Sequence, residues 1–153
     1  MVSIEEVRVA VEKAKEMLSD SGIDVEVTAD QVWDWLETDL PTPDLEIGDV
    51  VLDPLVIVHG IIEIDELLKV GLSITKNLRL EHPENVEDAH LKAAKVELVV
   101  ARAIGATEHL EERIKDIEQW SIDKTLTDRR RAEYEQLLAE AKRHLERLTF
   151  RCG

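Results

Sequence analysis

Cysteine is almost missing from this chain: its one copy, Cys152, lies next to the last of 153 residues. A single thiol excludes an internal disulfide and a thiolate zinc site. It is also a poor nucleophile so close to a chain end, where residues fray. Aromatic residues are scarce, with one Phe, one Tyr and three Trp, so the core must be largely aliphatic. No run of 18 apolar residues is present to span a membrane. No basic segment followed by an apolar one marks a leader peptide, and the expectation is a cytoplasmic protein without membrane contact. Basic residues are outnumbered, 19 Lys+Arg against 34 Asp+Glu, for a formal charge of −15. Such a surface repels phosphate backbones, so nucleic acid is excluded as the main ligand.

Missing motifs narrow the chemistry further. The chain has no Gly-x-Gly-x-x-Gly, no Gly-Lys-Ser/Thr phosphate loop, no Gly-x-Ser-x-Gly, no His-Glu-x-x-His and no His-Asp pair. Amides are few, two Asn and three Gln, and together with abundant Glu, Arg and Val they give a thermophile-like composition. The acidity is concentrated at the front, where residues 1–66 hold 18 acids and 3 bases. The basic run Arg129-Arg130-Arg131 reads as a solvated helix start that pairs with Glu133 and Glu135.

What is present is helical periodicity. Ser3-Ile-Glu-Glu6 is a capping box that opens a helix with a stripe of Ile4, Val7, Val11, Ala14 and Leu18, stopped by Gly22. Residues 23–27 alternate apolar and acidic, the pattern of a short extended segment. Thr28-Ala-Asp-Gln31 is a second box, leading into Val32, Trp33, Leu36 and Leu40. Trp33 and Trp35, two residues apart, must face different sides of that helix. Pro41 and Pro43 end it, and the best internal boundary falls at residues 41–49. Asp53-Pro54 starts a long apolar helix to about Val70, with a loop or short continuation over 72–81. Helices follow from Pro83 to Gly105, from a Thr107 cap through Leu110, Ile114, Ile117 and Trp120, and from Thr127 or Asp128 to the end. The expected fold is all-α: an antiparallel four-helix-type bundle over 49–153 with a small N-terminal helical appendage over 1–48.

Two of these helices carry polar groups where a bundle keeps its core. At 100° per residue, with His90 at zero, Glu97 falls at about −20°, Ala101 at about 20°, Ala94 at about 40° and Glu87 at about 60°. Val86, Ala89, Ala93, Val96, Val100 and Ile104 fill one flank, and Leu91 and Leu98 the other. A carboxylate buried alone costs several kcal/mol, so Glu97 requires a partner. Helix 54–70 offers one, with Glu63 at about 40° and Glu66 at about −20° from His59. If the two helices run antiparallel, His59, Glu63, His90 and Glu97 meet as candidate metal ligands. Glu66 or Glu87 then serves in a supporting role or in a magnesium alternative. Two imidazoles with carboxylates suit Mn, Fe or Zn, and carboxylates alone suit Mg. The competing reading is a hydrogen-bonded His/Glu network that fixes helix register with no ion.

Two motifs resemble known families. Glu87-x-x-His90 resembles half of the paired Glu-x-x-His pattern of ferritin-like di-iron bundles, which implies carboxylate-bridged metals; here it occurs once. Glu63-x-x-Glu66 followed by Glu84-x-x-Glu87 resembles the four-acid pattern of all-α nucleotide pyrophosphatases, which implies magnesium and a nucleoside triphosphate. With no complete catalytic motif, the leading expectation is a non-enzymatic helical interaction or assembly module, a homodimer or the partner of another protein, with no certain cofactor. The alternative is a metal-dependent hydrolase with a site between helices 54–70 and 83–105. His109 and His144 read as solvated, and His82 as a cap or an added ligand.

Overall fold

In the computed structural model, the described residues are 3–38, 53–75 and 77–151. The prolines at 41 and 43, the boundary expected at 41–49 and Cys152 lie outside them. The fold is all-α, with helices α1 (Ile4–Asp20), α2 (Ala29–Thr38), α3 (Pro54–Lys69), α4 (Leu78–Glu81), α5 (Pro83–Ala103), α6 (Thr107–Ser121) and α7 (Asp128–Arg151). No strand occurs among the described residues. Contacts divide the chain into two compact units, Met1–Glu97 and Leu98–Gly153.

In the first unit, α1 and α2 pack on each other and both pack on α3. Ser3 caps α1 by accepting from the Glu6 N–H at 3.2 Å, and the buried stripe is the expected Val7, Val11, Ala14 and Leu18. The capping box of α2 closes reciprocally: Thr28 N–H donates to Gln31 Oε1 at 2.9 Å, and Gln31 N–H to Thr28 Oγ1 at 3.2 Å. Trp35 is buried, whereas half-buried Trp33 donates its indole N–H to Glu37 at 2.9 Å. Residues 23–27, expected to be extended, form no strand. The segment is tied down instead by Lys15 Nζ, which donates to the Val27 carbonyl at 3.1 Å.

The helix that matters most, α3, is bounded by chemistry at both ends. Asp53 accepts from the Leu55 N–H at 3.0 Å, and Pro54 takes the first turn, where no N–H is needed. At the other end Gly71 adopts φ +83°, a conformation in which any Cβ is crowded. That lets Gly71 N–H reach Leu68 O and Leu72 N–H reach Leu67 O, satisfying two terminal carbonyls. The same bond pair ends α1 at Gly22 and α5 at Gly105. Between its caps α3 buries Leu55, Ile57, Val58, His59, Ile61, Ile62, Glu63, Ile64 and Leu67, an apolar cylinder with two ionisable groups set into it. Leu68, near its end, is exposed, and residues 78–81, open in sequence between loop and helix, form the single turn α4.

In the second unit, α6 and α7 pack along each other, with Trp120 edge-on to Tyr134 at 6.2 Å between ring centroids. Thr107 is the first residue of α6 and not its cap; Ala106 holds that position without a side-chain bond. Thr127 caps α7, accepting from the Arg130 N–H at 3.2 Å. The basic run at 129–131 departs from its solvated reading at one position: Arg130 is only 5% exposed and pairs with Glu133 at 3.1 Å. Arg129 and Arg131 stay at the surface, Arg129 also on Glu133.

Candidate metal centre

His59 and Glu63 are one helical turn apart on α3, and His90 and Glu97 two turns apart on α5, so each pair shares one face of its helix. The two faces meet inside the first unit. His59 Nδ1 lies 2.7 Å from Glu97 Oε1. The opposite ring nitrogen, Nε2, lies 2.6 Å from Glu63 Oε1 and 3.1 Å from His90 Nδ1. Glu63 Oε1 and His90 Nδ1 are 3.9 Å apart. Residue numbers thus rise along α3 as their partners' numbers fall along α5, the antiparallel sense in which these four side chains can meet.

Burial grades across the cluster. Glu97 is 1% exposed, His59 and Glu63 are buried, and His90 keeps about a quarter of its side chain in solvent, 28%. The ring planes of His59 and His90 cross at 61° with centroids 5.0 Å apart. Small residues, Ala93 and Ala101, sit one turn to either side of Glu97 and are buried with it, which leaves room for a carboxylate in a packed interior.

The electrostatics follow from what each group meets. Burial by itself pushes the His59 imidazole down, but hydrogen bonds to Glu63 and Glu97 and their negative charges outweigh it, holding the pKa at about 9 instead of 6.5. Burial likewise pushes the Glu63 carboxyl up, and bonds to His59 and His90 reverse that, bringing it to about 2. Without an ion, His59 is therefore an imidazolium that donates from both nitrogens. Two carboxylates against one imidazolium leave the cluster one positive charge short of balance.

His59, Glu63 and His90 each present a donor atom within 4.8 Å of the others, and among the described residues they form the one such group of three or more. Glu97 faces the other edge of the His59 ring, at Nδ1. Glu66 stands apart, 3.8 Å from Lys69 and about a third exposed. Glu87 is half-buried and Glu84 exposed, and neither belongs to the group. His82 ends α4 and its backbone carbonyl accepts from Val86, so its helix-start role runs through the main chain. His109 and His144, read as solvated, are half-buried in the second unit. Three nitrogen and oxygen donors of this kind are the set used by catalytic zinc sites and by non-haem iron sites with open positions. No protein-family model, curated protein or solved structure matches the chain, and no described helix is long and apolar enough to cross a membrane.

Proposed function

We propose that the first unit is a divalent-metal-binding helical domain in which His59, Glu63 and His90 hold one transition-metal ion. The observation that carries the reading is the spacing of the three donor atoms, 2.6, 3.1 and 3.9 Å. Zinc–nitrogen bonds of about 2.0–2.1 Å in a tetrahedron place neighbouring ligands about 3.3 Å apart, so the three separations bracket the required edge. Charge supports it as well: a dication with neutral imidazoles balances Glu63 and Glu97, where the ion-free cluster stays one charge short. Two imidazoles favour Zn, Fe or Mn over Mg. His59, Glu63 and His90 would hold the ion, with His90 a quarter exposed to solvent, and the chemistry such an ion would supply is hydrolysis by activated water.

A specific observation favours a second reading. The contacts at 2.6 and 2.7 Å are good charge-assisted hydrogen bonds as they stand. In that reading the cluster fixes the register of α3 on α5 without an ion, and the chain is an assembly module, either a homodimer or the partner of another protein. Elemental analysis of protein purified without chelator or nickel resin separates the two, with His90→Ala alongside. The metal reading expects about one transition metal per chain, removed by EDTA and lost in the variant. A wild type that stays empty after incubation with Zn, Mn and Fe(II) overturns it in favour of the network.

A further inference from the structure

The cluster has four members, and three share the ion-facing side. Building on the metal reading above, we propose that Glu97 is a positioning residue: it holds His59 with its proton on Nδ1, leaving Nε2 as the ligand atom, and it supplies the second buried negative charge that matches a dication.

The geometry points this way because a neutral imidazole offers one N–H and one lone pair, and the group facing one nitrogen decides which of the two the other nitrogen presents. Glu97 Oε1 faces Nδ1 at 2.7 Å, and Glu63 and His90 face Nε2. An ionised carboxylate only accepts, so Nδ1 must donate to it, and the lone pair of neutral His59 turns toward Glu63 and His90. Glu97 is also the most deeply buried polar side chain of the four, so water does not compete for this bond. Glu97 is thus an outer carboxylate that steers a ligating histidine, a role that differs from direct ligation in what it does to the ion: it changes affinity while leaving the number of protein ligands at three.

The test compares wild type and Glu97→Gln loaded with zinc alone and with cobalt(II) alone, affinities being read by competition with a chelator. Glutamine keeps an oxygen acceptor at the position and removes the charge. The expected result is one ion per chain in both proteins, with zinc held about 10–100-fold more weakly by the variant. A second measurement needs no variant to fold: long-range proton–nitrogen spectra of the zinc-loaded wild type should show His59 protonated at Nδ1 and coordinated at Nε2. Coordination through Nδ1, or undiminished affinity in a helical Glu97→Gln, overturns the role of Glu97 and leaves the metal reading intact. A wild type that takes up neither ion removes the metal reading itself, and this proposal with it.

Discussion

Both units bury charge, and they do it differently. In the first, His59 and Glu63 on α3 meet His90 and Glu97 on α5, partners separated by 31 and 38 residues in sequence. In the second, Arg130 is as buried as Glu63 but takes Glu133 from the next turn of its own helix. A local pair forms whenever α7 forms, and its acid stays partly exposed. A pair assembled across two helices exists only when those helices are in register, and each member depends on the others for its charge balance. The first arrangement therefore carries information about packing, and the second carries almost none.

The sharpest way to break this contrast is to remove one partner from each. In chelated, metal-free protein at neutral pH, His59→Ala strands two buried carboxylates and is expected to cost about 3–5 kcal/mol in denaturant unfolding. Replacing His59, Glu63 and Glu97 together by leucine should recover most of that loss, since an apolar set of similar volume has no charge to strand. Arg130→Met, by comparison, is expected to cost about 1 kcal/mol, because half-exposed Glu133 can turn to water. Equal costs for the two single substitutions would erase the distinction.

Protonation sharpens the comparison, because the shifted histidines of the two units respond with opposite signs. His59 is held at about 9 against 6.5, so its contribution is complete below pH 6.5 and is lost as pH rises through 9. Glu63 is held at about 2 against 4.5, so its contribution is present above pH 4.5 and is lost as pH falls through 2. The ion-free network is thus at full strength between pH 4.5 and 6.5. His144 on α7 runs the other way. Partial burial first, and then Arg102, Arg147 and Arg143, push its imidazole below 6.5 against a smaller opposing pull from Glu140, and its Nδ1 has no hydrogen-bond partner among the described residues. Its contribution is present above pH 6.5 and is lost as pH falls. Histidine ring-proton titrations of the metal-free protein should show one resonance moving near pH 9 and one below 6.5. A His59 resonance that titrates at 6.5 would contradict the network as described.

How far the sequence foretold this depends on how much each signal needed the fold. The stripe of α1, the caps at Ser3, Thr28 and Asp53, and the stops at Gly22 and Gly105 are local chemistry, and they were legible. So was Glu97, because a carboxylate in the middle of an apolar arc with alanines beside it has few places to go. His59 and Glu63 were harder to separate from Glu66, since α3 is apolar almost all round and all three fall within one narrow sector. Contact with α5 decides between them: Glu63 meets His90, whereas Glu66, nearly a turn further on, turns to Lys69. Which face of the His59 ring each carboxylate takes was not legible at all, because periodicity places side chains on faces and says nothing about ring edges. For the same reason, four equal ligands were expected where the geometry separates three from one. Arg130 was misjudged because its burial depends on how α6 and α7 pack, which a run of three arginines does not encode.

The smallest expected effect probes α3 where it meets an aromatic ring and no charge. A Cβ added at Gly60 would stand 3.6 Å from Trp35 Cδ1, at ordinary contact distance. Gly60→Ala should therefore raise stability by about 0.5–1 kcal/mol through helix propensity, measured in the same denaturant titration. A loss would mean that the approach of Trp35 to α3 is tighter than 3.6 Å.

That contact has an optical consequence. Trp35 rests on the residue that follows His59, with the Arg79 guanidinium 5.0 Å from its ring centre, so a fluorophore is built against the helix that carries half of the polar cluster. Trp120 lies in the other unit, and Trp33 is half in solvent on the far side of α2. A shift of α3 or a change of charge on His59 is therefore felt first by the buried indole, whose emission lies to the blue of its exposed neighbour, and the chain carries its own dye for the cluster at its centre.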